Sequence, residues 1–217
     1  MNAPKVMKID FVSDVVCPWC AIGLRSLEIA LGRLDGVVDA QIHFQPFQLN
    51  PDMPPGGEDI VEHLSRKYGM DAAQVRANQE AIARRGEAVG FTFRMERRGR
   101  TWNTFEAHRL LHWAALQGRQ SQLKHALLGA YFTDGQSPAD PDVLVRCAAG
   151  AGLDESAARA LLASDAHVDE LRTELRRFVE LGIHSVPSII IDQHYLIQGG
   201  QPPELFEQAL RQMAAEG

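Results

Sequence analysis

The spacing of apolar residues divides the chain into a strand–helix–strand start, a long helical middle and a strand-rich end. Residues 7–16 form an apolar run rich in β-formers and predict a buried strand. A broad helical stripe follows from Trp19 to Leu34, where Asp35-Gly36 ends it, and residues 38–47 alternate as a second strand. A strand–helix–strand unit of this length predicts two parallel strands joined by a right-handed crossover.

The middle of the chain, from residue 58 to 182, has a helical pattern. Glycine, proline and capping residues predict helices over about 60–68, 72–89, 103–118, 119–133, 141–149, 154–163 and 166–181. In the third of these, Asn103 precedes Glu106 by three residues, which is the spacing of a capping box. Asn103 therefore has a structural explanation as a helix cap.

The end of the chain returns to strand character over residues 185–191. Asp192-Gln193 then predicts a turn into a second short strand at 194–197, giving a hairpin before a last amphipathic helix. This order predicts an α/β fold, in which a small sheet is covered by helices on both faces and carries an all-helical insertion.

Two cysteines stand at the start of the first helix, in the motif Cys17-Pro18-Trp19-Cys20. At this spacing they lie one turn apart on one helix face, within the range that a disulfide needs. The helix N-terminus favours the thiolate of Cys17, and Pro18 suits the first helical position. The motif therefore predicts a redox-active dithiol, with Cys17 as the more exposed, attacking thiol and Cys20 as the resolving thiol.

Metal binding is the main alternative for such a cysteine pair, but a zinc site usually needs a second pair of ligands. The only other cysteine, Cys147, lies among apolar residues and is expected to be buried and inert. His108 and His112 are four residues apart but lack the glutamate of the zincin motif, which favours packing or exposure for both. We therefore expect no metal.

The composition of the 217-residue chain, 45% hydrophobic and 23% charged, is that of a soluble globular protein. A net charge of -6 argues against nucleic acid as a partner, and no apolar run is long enough to span a membrane. Lys8 and Asp10 interrupt any signal-peptide core, so we expect a cytoplasmic protein in which a reactive dithiol is favoured over a permanent bridge. The basic run from Arg94 to Arg100 is expected to be a solvated loop, or else a rim that attracts anions such as glutathione.

The cysteine motif before a helix, with Val186-Pro187 opening a late strand, resembles the thioredoxin superfamily. The large helical insertion makes the chain similar to the DsbA group, and further motifs resemble its FrnE branch of dithiol–disulfide isomerases. These further motifs are Ile22-Gly23, Phe47-Gln48-Leu49-Asn50-Pro51, Asn103-Thr104 with Ala107-His108-Arg109-Leu110, Gly182-Ile183 and Gly199-Gly200-Gln201.

The resemblance implies a thioredoxin-like domain made of residues 6–57 and 183–217, joined by the helix at about 166–181, and a helical insertion domain over residues 58–165. It also implies a cis bond before Pro187, facing the cysteines.

The backbone of Val186 is then expected to pair with an extended substrate. Pro18 and Trp19 are expected to shape the site, with the Trp19 ring as an apolar platform. Asn103 is expected to line the site in addition to its capping role.

The function that this resemblance implies is a thiol–disulfide oxidoreductase or isomerase that acts on thiol- or disulfide-containing peptides or small molecules, as a monomer or homodimer. No cofactor is implied, with glutathione as a potential co-substrate. The first alternative is a glutathione-dependent transferase or isomerase of the kappa class or the 2-hydroxychromene-2-carboxylate isomerase type. Those relatives typically carry serine in place of Cys17 and lack the second cysteine. The second alternative is a redox-inert binding module.

Overall fold

The computed structural model describes residues 3–216, so Gly217, the last residue of the predicted thioredoxin-like segment, lies outside it. Its strands are β1 Lys5–Ser13, β2 Val38–Pro46, β3 Glu58–Asp59, β4 Arg100–Thr101, β5 Ser188–Ile191 and β6 Tyr195–Gln198. Four of them form one sheet in the order β2-β1-β5-β6. β1 and β2 are parallel, as the strand–helix–strand pattern predicts, and β5 and β6 form the predicted antiparallel hairpin.

The α-helices of the described chain are α1 Pro18–Arg33, α2 Ile60–Tyr68, α3 Ala72–Ala88, α4 Phe105–Leu116, α5 Gln120–Phe132, α6 Pro141–Gly150, α7 Glu155–Leu162, α8 Val168–Glu180 and α9 Pro203–Ala215, and a short 3-10 helix lies at Met95–Arg97. The ends of α1 to α8 lie within two residues of the predicted ones. Seven of the nine, α2 to α8, fall between β2 and β5. The result is a thioredoxin-like α/β fold that carries a long helical insertion.

The first strand is shorter than predicted, because it ends at Ser13 and not at Val16. The three residues that follow form a turn, in which the carbonyl of Asp14 accepts a hydrogen bond from the Cys17 N–H at 3.3 Å. β3 and β4 were missed altogether, since two residues per strand are too few to show an alternating pattern. They pair antiparallel with each other and so connect the first residues of the insertion to the segment before α4.

The predicted capping box at the start of α4 is wrong in part. Thr104 is the residue before the helix, and the Oδ1 atom of Asn103 accepts the N–H of Phe105 at 2.9 Å. Glu106 does not reach back to the cap, because it accepts a hydrogen bond from Nε of the buried Arg109 at 3.1 Å. Asn103 therefore helps to cap the helix without a reciprocal partner.

One continuous apolar core joins the sheet to the helical middle. On the side of β2, the side chain of Gln120 accepts the Phe44 N–H at 3.0 Å and donates to the Phe44 carbonyl at 2.8 Å. These bonds occupy the backbone groups that an edge strand otherwise leaves open, and they fix α5 against the sheet. The phenyl rings of Phe11 and Phe44 meet edge to face beneath this contact, with centroids 5.8 Å apart.

Two helical glycines allow a test of this packing. A Cβ atom added at Gly86 in α3 lies inside van der Waals contact with the Phe93 ring and 2.9 Å from the Phe91 carbonyl, so we expect Gly86→Ala to cost about 1–3 kcal/mol of unfolding free energy. A Cβ atom at Gly129 in α5 meets nothing within 4 Å. Gly129→Ala should therefore stabilise the protein by about 0.5–1 kcal/mol. Urea unfolding followed by circular dichroism measures both values, and effects of the same sign would contradict the described packing.

Candidate active site

The two cysteines of the motif lie at the N-terminus of α1, and both are free thiols. Cys17 has an extended backbone at the position before the helix, and Pro18 is the first helical residue. An N–H at this position has no acceptor within the helix, so the proline costs no hydrogen bond. The N–H of Cys20 donates to the Cys17 carbonyl at 3.1 Å, which holds the two residues one turn apart. Cys17 is the more accessible of the two, with an exposed fraction of 3% against 0% for Cys20.

The Cys20 thiol is in an environment that favours its protonated form. Burial raises its pKa well above the ordinary value, and the hydrogen bond with Cys17 and the charge on that sulfur raise it further. The positive charge of Lys124 and the backbone of Asp14 act in the opposite direction but do not offset these effects. Cys20 therefore keeps its proton at neutral pH while the pair is reduced.

The segment that precedes β5 packs directly against the cysteines. The Cys17 thiol donates to the Val186 carbonyl oxygen at 3.7 Å, and the Val186–Pro187 peptide bond is cis, as the family resemblance implies. A Cβ atom on Gly23 would come within 3.1 Å of the Pro187 ring, so glycine at this point of α1 permits the approach. The structure thus brings Cys17, Cys20, Val186 and Pro187 together.

A cavity of about 410 Å³ opens next to Cys17. Pro18, Trp19 and Val186 line it on the side of the sheet. The insertion and the chain leading to it supply the rest of the wall, which is Leu49, Asn50, Ile60, His63, Leu64, Lys67, Tyr68, Met70, Asn78, Gln79, Ile82, Arg98 and Thr101. No carboxylate of the described chain is part of this lining, so its fixed charges are positive.

Lys67, which the sequence analysis missed, supplies one of these positive charges. Its ammonium donates to the Leu49 carbonyl at 2.9 Å and to the Asn50 side chain at 2.7 Å, and so ties α2 to the loop that follows β2. Partial burial lowers the pKa of Lys67, while the charges of Asp14 and Cys17 oppose that change. Nothing in the sequence distinguishes this lysine, because a basic residue in the last turn of a helix is common.

Arg98 supplies the second positive charge and departs from the expectation of a solvated basic loop. It is buried, and its Nε donates to the Tyr131 hydroxyl at 2.8 Å. Its guanidinium lies 5.2 Å from the Tyr131 ring centroid and donates to the Val16 carbonyl at 3.4 Å. These contacts hold the guanidinium next to the turn that carries Cys17.

Trp19 lies between the cavity and the core. Its side chain is half-buried, and the guanidinium of Arg85 lies 5.2 Å from the ring centroid. A Cβ atom on Gly200 would come within 3.3 Å of the ring, so the chain before α9 also packs closely on it. Trp19 therefore contributes one wall of the cavity and at the same time packs against the core.

The structure does not bring Asn103 to the thiols. The Asn103 amide donates to the Pro51 carbonyl at 3.0 Å and its oxygen accepts from the Gln48 side chain at 3.2 Å. It lines a separate open groove of about 640 Å³, with Phe47, Phe105 and residues of α8. Asn103 thus holds the loop whose neighbouring residues, Leu49 and Asn50, line the cysteine cavity.

Behind the cysteines lies a buried hydrogen-bonded pair, Asp14 and His108, that the sequence analysis did not identify. The Nε2 atom of His108 is 3.2 Å from Asp14 Oδ1, and Asp14 Oδ2 accepts the Leu49 N–H at 2.8 Å. Burial by itself raises the pKa of Asp14, but His108, the Leu49 amide and the Thr104 hydroxyl lower it more, so the pKa lies below the ordinary 3.8. Asp14 is therefore a carboxylate that joins the cysteine turn to α4 and to the loop after β2.

The remaining metal-binding side chains do not converge. His112 contacts Glu174 at 3.2 Å, whereas His108 contacts Asp14, so the two histidines belong to different ion pairs. Residues 3–216 contain no group of three or more histidine, cysteine, aspartate and glutamate side chains arranged to hold a metal ion. Cys147 is buried in α6, and burial raises the pKa of its thiol to about 11.

The Asp14 pair makes a pH-dependent contribution to stability. We expect Asp14→Asn to lower the unfolding free energy at pH 7 by about 3 kcal/mol, because His108 and the Leu49 N–H lose the buried carboxylate to which they hydrogen-bond. Since the folded pKa lies below the unfolded value, this contribution is present above about pH 4 and is lost as the pH falls through the folded pKa. The difference from wild type should therefore shrink as the pH falls below about 4 and approaches the folded pKa, as measured by urea unfolding.

The matched control is Asp142→Asn, which removes an exposed carboxylate whose pKa is also lowered, here by Arg159 at 2.9 Å. Water screens that pair, so the change should have little effect on stability. Equal behaviour of the two variants would show that the buried pair does not stabilise the fold.

Within residues 3–216, none of the helices combines the length and the apolar character that a membrane crossing requires. The chain is 26% identical over 204 residues to the uncharacterized protein YwbO of Bacillus subtilis, covering 93% of this chain and 94% of that protein. The structure of a probable DsbA oxidoreductase from Streptomyces coelicolor superposes with a TM-score of 0.89 at 35% identity, over 97% of this chain and 91% of that one.

A cytosolic disulfide reductase, DsbM from Pseudomonas aeruginosa, solved with glutathione, shares the fold at 17% identity and a TM-score of 0.62, over 96% of this chain and 99% of that one. Residues 8–211 match the family model of the DSBA-like thioredoxin domain. The match covers nearly the whole chain, both the segments that form the sheet and the helical insertion between them. The chain therefore belongs to the DSBA-like thioredoxin family.

Proposed function

We propose that the protein is a thiol–disulfide oxidoreductase that uses Cys17 as the nucleophile and Cys20 as the resolving thiol. The observation that carries this proposal is the pair of free thiols at the N-terminus of α1, with Cys17 open to a cavity and next to the Val186 carbonyl. Membership of the DSBA-like family supports a redox activity of this kind.

The proposed reaction proceeds in two exchanges that balance without a cofactor. The Cys17 thiolate attacks one sulfur of a substrate disulfide, forms a mixed disulfide and releases the other sulfur as a thiolate. Cys20 then loses its proton and attacks the Cys17 sulfur, which closes the Cys17–Cys20 bond and releases the second substrate thiol. The substrate gains two electrons and the protein loses two, and the reverse sequence oxidises a dithiol substrate.

The accessibility of the two sulfurs supports this order of attack. Cys17 lines the cavity and Cys20 does not, so a substrate disulfide reaches Cys17 first. Cys20 is fully buried and protonated, which suits a thiol that acts only after the mixed disulfide has formed. A peptide substrate would lie beside Val186 and pair with its backbone in an extended conformation, a common mode of peptide recognition.

The two roles predict different outcomes for two conservative variants. Cys17→Ser should abolish thiol–disulfide exchange, whereas Cys20→Ser should retain the first attack and accumulate a mixed disulfide on Cys17. Insulin reduction and mass spectrometry of the intact protein measure these outcomes. Cys147→Ser is the control, since its buried thiol has no part in the exchange. Near-normal turnover in Cys17→Ser would contradict the assignment.

Glutathione is the co-substrate that the cavity supports best. The volume of about 410 Å³ suits a small thiol, and Lys67 and Arg98 give its wall a positive charge although the chain as a whole carries -6. An anionic thiol is attracted to such a wall. The glutathione-bound DsbM structure, which has the same fold, is compatible with this proposal.

The alternative function is a glutathione-dependent transferase or isomerase, which needs an activated glutathione but no second protein thiol. Both Cys17 and Cys20 are present as free thiols that hydrogen-bond to each other, which favours redox exchange over this alternative. A redox-inert binding module is the other alternative. Rapid alkylation of a single thiol near pH 7 would argue against an inert module.

Charge recognition at the cavity gives a second test. Lys67→Met should raise the KM for glutathione disulfide by about fivefold, since a partly exposed charge pair contributes roughly 1 kcal/mol. The KM for the neutral hydroxyethyl disulfide should stay the same. The control variant is Lys8→Met, because Lys8 pairs with Asp10 on β1 at 3.3 Å and does not line the cavity. Equal changes for the two disulfides would show that Lys67 does not recognise charge.

A further inference from the structure

Lys124 of α5 is a buried lysine whose ammonium has no hydrogen-bond partner in the described chain. Its exposed fraction is 1%. A buried, unpaired ammonium costs several kcal/mol, and proteins usually avoid it unless an opposite charge lies nearby. The position of Lys124 therefore calls for a physical explanation, and the sites described so far do not supply one.

The surroundings of the ammonium are apolar on one side and titratable on the other. The Lys124 side chain lies against β2, with Nζ 5.8 Å from the centroid of the Phe44 ring. The hydrogen bonds between the Gln120 side chain and the Phe44 backbone hold α5, the helix that carries Lys124, against the same strand. The charges that act on it come from Cys17 and Cys20 of α1 and from Asp14 in the turn between them and β1. Asp14 is already paired with His108 of α4.

The thiols are thus the groups near Lys124 whose charge changes during the reaction. Burial lowers the pKa of Lys124, while negative charge on Cys20, Asp14 and Cys17 acts to raise it. The attraction is mutual, because the Lys124 charge lowers the pKa of Cys20. The ammonium stands beyond hydrogen-bond reach of the sulfur, so its influence on Cys20 is electrostatic.

We propose that Lys124 is a positioning residue of the resolving step, a positive charge contributed by the helical insertion that stabilises the Cys20 thiolate as it attacks the mixed disulfide. This inference rests on the proposed function. In the step concerned, Cys20 loses its proton and its thiolate forms the bond to Cys17, the Cys17–substrate bond breaks, and the departing substrate thiolate takes up a proton. No further oxidant or reductant enters.

The two attacks are separable with the reagent dithiobis(nitrobenzoate). Reduced protein releases one coloured thionitrobenzoate when Cys17 attacks the reagent and a second when Cys20 attacks the mixed disulfide. Stopped-flow absorbance at several pH values follows both phases. If the Lys124 charge is removed, the pKa of Cys20 rises and less thiolate is present at a given pH, while the more basic thiolate recovers part of the lost rate through its greater nucleophilicity.

We expect Lys124→Met to slow the second phase about three- to tenfold at pH 7 and to move its pH dependence to higher pH. The first phase should change by less than about twofold, and the melting temperature should not fall, since an apolar residue of similar length replaces an unpaired charge. Lys124→Gln is the second variant, which keeps a polar end without the charge. It should give the same kinetics.

The matched control is Ser26→Ala, which removes the other buried side-chain atom of the described chain that has no hydrogen-bond partner. It should leave both phases as they are. An unchanged second phase in the Lys124 variants, or equal slowing of both phases, would overturn the inference while leaving the proposed function intact. Absence of both phases in the wild-type protein would instead refute the proposed function.

Discussion

The close approach of α1 to the Val186–Pro187 segment is the constraint on which the rest of the site depends. It places the Cys17 sulfur 3.7 Å from the Val186 carbonyl, and Gly23 makes room for the Pro187 ring. The approach follows from the sheet, because β1 lies between β2 and β5 and so carries the cysteine turn to the start of β5. A bulkier side chain at Gly23 would separate the two segments and open the site.

Burial is the second constraint, and it acts differently on the two sulfurs. Cys20 is enclosed by the core, so any charge that forms there must be stabilised by protein groups and not by water. Cys17 is nearly covered too, but it borders a cavity. The fold therefore separates a sulfur that borders a cavity from a sulfur that is enclosed by the protein interior. The long insertion contributes to both environments, through Lys67 on α2 and Lys124 on α5.

The sequence was sufficient to predict the order of the helices and of the four strands of the main sheet, the parallel pair, the hairpin and the ends of α1 to α8, because these depend on local periodicity and on glycine and proline. It was also sufficient to place the dithiol at a helix N-terminus. The family resemblance, and not the residue pattern, supplied the cis bond at Pro187 and the contact between Cys17 and Val186, which lie 169 positions apart.

The groups that the sequence did not reveal are those whose role depends on tertiary burial. Arg98 looked like one of several exposed arginines, and Lys124 stands in α5 among ordinary helix residues. Asp14 falls within the strand predicted over residues 7–16 but lies in the turn after it as a buried partner of His108, 94 positions away. Asn103, placed at the site by resemblance, instead holds the neighbouring loop. Single-sequence periodicity carries no signal for such pairings, since neither partner is unusual in its own segment.

Lys67 and Lys124 also differ in how far solvent screens their charges. Lys67 is partly exposed at the cavity wall and bonded to a loop, so salt and ligand charge compete for it, which suits its proposed role in recognition. Lys124 is shielded, and its influence on Cys20 passes through a medium of low polarity, where charges act over longer distances than in water. The charge at the cavity wall and the charge behind the dithiol are therefore carried by different helices, α2 and α5. Under the proposed function, recognition of a small thiol and closure of the Cys17–Cys20 bond therefore depend on different charges, and a change in one need not alter the other.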